Sequence, residues 1–311
     1  MIHLLKLIRV VNLLIVAWMM LVLAAYLDMS YTLHYFHFQT PELWLLVLIV
    51  IFIAAAGNCI NDYFDVVADN INKPQKIIVE KYISKSKVLK IYFVLNALAL
   101  IFSFVLSYLS GIWLFLFIHT ISIISLWFYS LKFKKILIFG NIVVALLTAT
   151  VPIYVGILLN ADFGAINPLQ PYPLNLTNYE NFPLKLSFAF ALIAFLLNLI
   201  REIVKDVVDI EGDKMIDAKT IPIVFGKKVT KRIVSTLLLL FAASFFPVYS
   251  LTRQGFLSHN GMYPFYFCIV MALGLILLLW KDSARKTWKN ISLFLKLIIA
   301  IVAILPLYWM L

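Results

Sequence analysis

Acidic residues are scarce in this 311-residue chain, which carries 15 Asp and Glu against 26 Lys and Arg. Cysteine is scarcer still, since Cys59 and Cys268 are too few and too isolated for a zinc site or a disulfide framework. The polar content of a soluble domain is also missing, because 64% of the residues are hydrophobic and the mean hydropathy is +1.00. No segments alternate as the strands of a membrane barrel would. These absences leave a helical membrane protein.

Long apolar runs predict how often the chain crosses the bilayer, since a spanning helix needs about 20 apolar residues. Nine runs are predicted, at 10–27, 41–59, 90–109, 112–131, 136–159, 184–203, 233–251, 263–280 and 291–310. We therefore expect an all-α integral membrane fold with a single domain over 1–311. Two pseudo-repeated four-helix halves, 10–131 and 136–280, would face each other across a central cavity, with the ninth helix packed outside.

The basic residues predict the orientation of the chain in the membrane. Of the 26 Lys and Arg, 23 fall at the N-terminus or in connectors on the same side of the membrane. Because cytoplasmic connectors are enriched in these residues, we expect a cytoplasmic N-terminus. The net charge of +11 then reflects topology and contact with anionic lipid or phosphate, and not nucleic acid binding.

The few acids are concentrated, because nine of the 15 lie in residues 57–70 and 202–217, at the predicted cytoplasmic ends of two spans. Each stretch contains a set of three aspartates at spacings of three and four, which share one helix face at about 100° per residue, and Glu202 and Asp217 fall on the same face four residues either side of the second set. The aspartates of the two sets are Asp62, Asp65, Asp69, Asp206, Asp209 and Asp213. A solvated helix end explains one such stripe. Two stripes at one membrane surface predict a shared site, because like charges this close require a cation.

The chemistry of this pattern indicates a metal-bridged diphosphate. Mg²⁺ prefers octahedral oxygen ligands and is usually held by a few carboxylates together with substrate phosphates. A ring of Lys and Arg suits the phosphates, and an apolar cavity behind them suits a long hydrocarbon tail. The expected cofactor is therefore Mg²⁺, and the expected partners are an isoprenyl diphosphate donor, a lipophilic acceptor and membrane lipid. Departure of the diphosphate would leave an allylic carbocation, so the site must exclude water.

The two acidic motifs resemble the signature motifs of the UbiA superfamily of intramembrane prenyltransferases. Arg9-x-x-Asn12, Asn72-Lys73-Pro74, Tyr129-Ser130 and Gly140-Asn141 agree, so the resemblance covers most of the chain. It implies a UbiA-like bundle in which the aspartates bind Mg²⁺ and diphosphate. The candidate substrate-binding residues are Arg9, Asn12, Asn58, Asn61, Lys73, Lys76, Tyr129, Lys132, Arg201 and Lys205. Lys76 stands where many members carry arginine, a change that weakens bidentate contact with phosphate.

The second motif and the following Lys219-Thr220-Ile221-Pro222 are similar to one branch of that family. Its members transfer a geranylgeranyl group to the hydroxyl of geranylgeranylglycerol phosphate, and Arg9, Lys132 or Lys205 would hold the acceptor phosphate. Quinone-pathway members, which alkylate an aromatic acid such as 4-hydroxybenzoate, share much of this motif and stay the main alternative. An ion-coupled transporter is a remoter one, because its acids are expected within spans and not at one surface.

Overall fold

A computed structural model of the chain describes residues 2–31, 40–161, 182–253, 263–282 and 284–310. The helices in these ranges are α1 (Ile2–Leu7), α2 (Val10–Tyr31), α3 (Pro41–Asn72), α4 (Lys85–Ser110), α5 (Leu114–Leu131), α6 (Phe139–Ala161), α7 (Phe182–Met215), α8 (Ile221–Ala243), α9 (Phe245–Arg253), α10 (Tyr263–Lys281) and α11 (Arg285–Met310). Short 3₁₀ turns at Pro74–Lys76 and Phe133–Lys135 follow α3 and α5.

Nine helical segments in the described ranges are long and apolar enough to cross a membrane. This confirms the predicted all-α fold and the predicted number of spans, and the protein is an integral membrane protein. The division between the third and fourth spans is also confirmed, because α4 ends at Ser110 and the cap residue Gly111 adopts the left-handed conformation, with φ of 71°. The grouping of the helices into two repeated halves stays a prediction.

The two helices that carry the acidic motifs are longer than predicted. The expected spans ended at 59 and 203, whereas α3 continues to Asn72 and α7 to Met215. Apolar side chains explain the continuation, because Val66, Val207 and other residues away from the acidic face are buried against neighbouring helices. Both motifs therefore lie within unbroken helices, which hold the carboxylates more rigidly than a frayed helix end would.

The seventh span also begins earlier than predicted. The expected start was 233, but α8 begins at Ile221, directly after Thr220 in an extended conformation and with Pro222 in the first turn. Gly226 then interrupts the helix with φ of 76° and ψ of 166°, a region that glycine adopts without steric cost. The segment that precedes residue 233 is thus a short helical turn followed by a kink.

The main apolar core is formed by side chains of the two motif helices, above all α7, and of the helices around them, chiefly α2, α6, α8, α10 and α11. Small residues allow the closest approaches: a Cβ added to Gly156 of α6 would lie 2.5 Å from Ser187 Oγ of α7. The outward faces of α4 and α10 expose large apolar side chains such as Phe93, Phe104 and Leu277. Such faces are expected where helices meet lipid, and the arrangement leaves an internal space between α2, α3, α5, α6 and α7.

Candidate active site

Both acidic motifs face one polar cavity of about 630 Å³. All six predicted aspartates line it. The polar and charged residues that share this lining include Arg9, Asn12, Asn61, Asn72, Lys73, Tyr129, Lys134, Asn141, Arg201, Glu202, Lys205 and Lys296. These residues come from six helices, from the break between α1 and α2 and from the turns that follow α3 and α5. The cavity therefore unites the two stripes that the sequence predicted to form one site.

Three basic side chains pair with motif carboxylates. Arg9 Nη2 donates to Asp62 Oδ1 at 2.7 Å, and Lys73 Nζ donates to Asp209 Oδ2 at 2.6 Å. Lys134 Nζ donates to Asp65 Oδ1 at 2.5 Å. The Asp65 carboxylate also accepts a hydrogen bond from Asn61 on the same helix, at 2.7 Å. Lys134 and Asp65 are 12% and 20% exposed, so water screens this pair weakly, whereas Arg9 and Lys73 are more than a third exposed and their pairs are screened more strongly.

Arg9 reaches the first motif because the chain breaks between α1 and α2. The residue adopts a positive φ of 56°, which is uncommon for a side chain other than glycine. Asn58 stabilises this break, since its Nδ2 donates to the carbonyl oxygen of Ile8 at 2.9 Å. Asn58, predicted to bind substrate, thus stabilises the break that orients Arg9 towards the first motif. It also lines an apolar cavity described below.

Lys73 follows the last residue of α3, and its backbone N–H caps the carbonyl of Asp69. Pro74 comes next and cannot continue the helix, so the lysine turns across to α7. Burial lowers the pKa of the Lys73 ammonium, but the charge of Asp209 and the hydrogen bond to it raise the pKa above its usual value overall. Lys73 is therefore a permanent cation at the cavity under physiological conditions.

Lys134 owes its position to the close packing of the turn after α5. A Cβ on Gly140 would lie 2.7 Å from the Cα of Lys134 and 2.8 Å from the carbonyl oxygen of Phe133. Only glycine permits this approach, which places the turn over the start of α6. Lys132, predicted to bind substrate, is exposed and does not line the cavity. The prediction for Lys132 is therefore corrected to Lys134, two residues further along.

Asn72 joins the two motif helices. Its Nδ2 donates to the carbonyl oxygen of Asp209 at 2.9 Å, and its Oδ1 accepts from the backbone N–H of Gly212 at 3.0 Å. The backbones are so close that a Cβ on Gly212 would overlap Asn72 Nδ2 and lie 2.6 Å from the carbonyl oxygen of Ala68. This contact sets the distance between the two sets of carboxylates.

The remaining donors and acceptors fit a site for Mg²⁺ with a diphosphate. Asp209 Oδ1 is buried without a hydrogen-bond partner, and Asp206 accepts from Asn141 through Oδ2 alone at 2.9 Å. Oxygen atoms of this kind are the ligands that Mg²⁺ prefers. In the described ranges, no three Asp, Glu, His or Cys side chains converge as a closed metal site. Such a cage is not required, because Mg²⁺ usually completes its shell with phosphate and water oxygens.

A second, mainly apolar cavity of about 340 Å³ adjoins the polar one. Its walls are formed by apolar side chains of α2, α3 and α6, including Val16, Val50, Ile53 and Val151. Eight residues line both cavities, namely Arg9, Asn12, Asn61, Tyr129, Arg201, Glu202, Lys205 and Lys296. The space is thus divided into a charged mouth and an apolar interior that meet at a polar boundary.

Glu202 holds two cations at this boundary. Its Oε1 accepts from Arg201 Nη1 at 3.0 Å and its Oε2 accepts from Lys205 Nζ at 2.6 Å. Arg201 Nε is buried and has no hydrogen-bond partner. The cluster therefore presents positive charge to both cavities while remaining partly neutralised by one carboxylate.

Of the predicted site residues, the structure brings the six aspartates together with eight of the ten proposed substrate-binding residues. Lys132 lies elsewhere, and the side chain of Lys76 lies outside the described part of the structure. Five of the polar lining residues named above were absent from the predicted set: Asn72, Lys134, Asn141, Glu202 and Lys296. Signals for three of them were present, since Glu202 continues the acidic stripe of α7, and Asn72 and Asn141 belong to motifs that agree with the family resemblance.

In the part of the chain that the structure describes, nine apolar spans surround a paired-aspartate cavity with an apolar interior, an arrangement typical of an intramembrane enzyme of the prenyltransferase class. The model of the UbiA prenyltransferase family matches residues 13–298, and the chain belongs to that family. This confirms the resemblance noted in the sequence.

Curated relatives support the same assignment. The digeranylgeranylglyceryl phosphate synthase of Thermococcus kodakarensis is 32% identical over 271 residues, which are 85% of this chain and 86% of the relative. The synthase of the same name from Pyrococcus horikoshii is 36% identical over 208 residues, which are 67% of this chain and 65% of the relative.

Two solved structures share the fold. A structure of digeranylgeranylglyceryl phosphate synthase has a TM-score of 0.68 at 25% identity, with 99% of this chain and 97% of that chain covered. A UbiA homologue from Archaeoglobus fulgidus, bound to DMAPP and Mg²⁺, has a TM-score of 0.57 at 16% identity, with 97% and 98% covered. This second likeness shows the fold alone.

Proposed function

We propose that the chain transfers a geranylgeranyl group from geranylgeranyl diphosphate to the hydroxyl of geranylgeranylglycerol phosphate, with Mg²⁺ as cofactor. One observation carries the proposal: two facing aspartate motifs and a set of cations enclose a polar cavity that opens into an apolar one. Relatives at 32% and 36% identity are named digeranylgeranylglyceryl phosphate synthase, which supports this choice of acceptor.

The donor diphosphate would lie in the polar cavity, between the two motifs. Mg²⁺, held there by the motif aspartates, would supply charge stabilisation for the departing diphosphate. Arg9, Lys73 and Lys134 already lie against these carboxylates, within reach of phosphate oxygens at the same place. Arg9 can contact phosphate with two donors in fixed geometry, whereas each lysine provides a point charge.

The acceptor phosphate would lie at the boundary between the cavities. Arg201 and Lys205 are held there by Glu202, and the buried Nε of Arg201 has a hydrogen-bonding capacity that no residue meets. A phosphate at this position is close to the carboxylate mouth, so the neighbouring hydroxyl of the glycerol would reach the allylic end of the donor. The two prenyl tails would extend into the apolar interior and towards lipid.

The reaction would break the bond between the allylic carbon and the diphosphate oxygen and form an ether bond to the glycerol oxygen, with loss of the hydroxyl proton. The apolar walls would keep water from the allylic cation, which water would otherwise capture. We further propose that the cavity mouth faces the cytoplasm, because the connectors on that side carry most of the Lys and Arg.

The test is a transfer assay with purified protein, Mg²⁺ and radiolabelled geranylgeranyl diphosphate. Geranylgeranylglycerol phosphate and 4-hydroxybenzoate are offered in parallel, and each reaction is repeated with EDTA. We expect label in the glycerol lipid alone, and only where free Mg²⁺ is present. Label in the aromatic acid would instead assign the chain to quinone synthesis, and the absence of transfer to either acceptor would contradict the proposal.

A further inference from the structure

The apolar cavity ends in a closed group of aromatic and polar side chains. Tyr154 of α6 lines the cavity and is only 3% exposed. Its ring contacts the ring of His119 edge-on, with centroids 4.8 Å apart, and the ring of Phe115 stacks with His119 at 6.0 Å and lies 6.5 Å from the Tyr154 ring. Both residues behind Tyr154 are completely buried. The tyrosine thus forms a wall supported from behind.

Hydrogen bonds make this wall rigid. The Tyr154 hydroxyl lies 3.3 Å from Ser122 Oγ of α5, and Ser122 also lines the cavity. His119 Nδ1 lies 2.8 Å from Ser103 Oγ of α4, which holds the imidazole in place. Two helices, α4 and α5, therefore brace a tyrosine of α6, and the wall cannot move aside without breaking buried polar contacts.

Two helices give the distance from this wall to the carboxylates. Tyr154 lies 13 residues beyond Asn141, the partner of Asp206, which is ~20 Å at 1.5 Å per residue. On α3, Val50 lies 12 residues before Asp62, which is ~18 Å by the same rise. An extended polypeptide advances ~1.2 Å per main-chain bond, and on that scale an extended geranylgeranyl chain of ~15 main-chain bonds measures ~18 Å. The cavity is therefore as deep as four isoprene units are long.

We propose that Tyr154 sets the length of the prenyl donor by closing the apolar cavity one geranylgeranyl chain away from the carboxylates. The inference rests on the proposed function, because the tail must enter this cavity while its diphosphate lies at the motifs. A donor one isoprene unit longer meets the braced phenol ring, and a shorter donor leaves the end of the cavity unfilled.

Two substitutions change the depth in opposite directions. Tyr154→Ala removes the phenol group at the end of the cavity, so the longer farnesylgeranyl diphosphate gains room. Ala54→Phe adds a ring partway along, since Ala54 lines the cavity eight residues before Asp62, or ~12 Å from it. This variant is expected to favour farnesyl diphosphate or shorter donors.

Two control variants separate depth from other effects. Tyr154→Phe removes the hydroxyl but keeps the ring, so the order of donor preference should stay the same. Leu146→Ala removes apolar bulk from the same helix at a side chain that is 52% exposed and does not line the cavity. It should leave both activity and donor preference unchanged.

The readout is the affinity for farnesyl, geranylgeranyl and farnesylgeranyl diphosphates with Mg²⁺, measured in detergent by competition against radiolabelled geranylgeranyl diphosphate. The ratio of transfer products from mixed donors is the second readout. Tyr154→Ala should raise the preference for the C25 over the C20 donor at least about tenfold, the lower end of what one methylene group contributes to pocket discrimination. Ala54→Phe should shift the preference towards C15 by a similar factor.

The outcomes separate this inference from the proposed function. An unchanged preference in folded Tyr154→Ala would overturn the inference, and if that variant fails to fold, an unchanged preference in Ala54→Phe does so. A wild-type protein that binds the diphosphates in the expected order but transfers nothing to the glycerol lipid would contradict only the proposed function. No binding of any diphosphate would overturn both.

Discussion

Replacing Gly212 with alanine should damage the site without changing any charged or substrate-binding group. Gly212 lies on α7 between Asp209 and Asp213, where it faces α3. The added Cβ would lie 2.6 Å from the carbonyl oxygen of Ala68 and would overlap Asn72 Nδ2. The amide of Asn72 can rotate, but the carbonyl belongs to a helix backbone and cannot. The two motif helices must therefore move apart.

The size of the effect follows from the distance. Ordinary contact between heavy atoms begins at about 3.5 Å, so relief of the 2.6 Å contact requires a separation of roughly 1 Å. Overpacking of this kind costs about 1–3 kcal/mol in the free energy of unfolding, and each lost Asn72 hydrogen bond adds about 1 kcal/mol. A displacement of about 1 Å between groups that act together lowers turnover on the order of 100-fold. We expect both losses in Gly212→Ala.

The matched control is Gly274→Ala on α10, where an added Cβ meets nothing within 4 Å. Alanine is the better helix former by about 1 kcal/mol, so this variant should be at least as stable as the wild type and fully active. Turnover is measured with geranylgeranyl diphosphate and the glycerol lipid, and stability by thermal unfolding in detergent. The double variant Asn72→Ala/Gly212→Ala should be no worse than Gly212→Ala, because both act on one contact. Wild-type turnover in Gly212→Ala would refute the reasoning.

Three further predictions concern the charges of the cavity. Lys134→Ala should reduce the rate of transfer at least about tenfold, because it removes a cation that contacts Asp65. Lys132 is exposed and lies outside the cavity, so Lys132→Ala should change the rate less than about twofold. Equal effects of the two substitutions in steady-state assays would contradict the placement of Lys134. Glu202→Gln leaves Arg201 and Lys205 without their shared carboxylate, so it should lower the free energy of unfolding by about 3 kcal/mol. The measurement is thermal unfolding, and a stability equal to that of the wild type would contradict this role of Glu202. EDTA should abolish both transfer and the thermal stabilisation that geranylgeranyl diphosphate provides, and added Mg²⁺ should restore them; stabilisation that persists in EDTA would exclude a metal-bridged diphosphate.

The acidic motifs could be predicted from the sequence because the spacing of their aspartates is a local feature of the chain. Aspartates three and four residues apart must share a face of any helix, and two such stripes in an otherwise apolar chain indicate that the stripes meet at one site. The extent of the helices was harder to predict. Hydropathy detects only the segment that faces lipid, so it missed the buried apolar side of α3 around Val66, which continues the helix beyond the membrane core.

Contacts between helices could not be predicted in the same way. Lys132 and Lys134 are equivalent by composition, and only the packing of the turn on Gly140 decides which of them reaches Asp65. The role of Asn72 likewise depends on Gly212, a residue 140 positions away in the sequence. Such pairs arise from tertiary packing. A single sequence does not show which residues that are far apart along the chain lie next to each other in the fold.

The ion pairs of the cavity explain how an apolar bundle accommodates so many carboxylates. Asp62, Asp65 and Asp209 each contact a cation of the chain itself, so the charges of these three carboxylates are compensated in a poorly solvated place. A diphosphate with Mg²⁺ carries both signs as well. With the function proposed above, each cation would exchange its carboxylate for a phosphate oxygen, and the carboxylates would then be available to hold Mg²⁺. This exchange requires cations and carboxylates in matching positions, which is why the separation of α3 and α7 at Gly212 matters as much as the charges do.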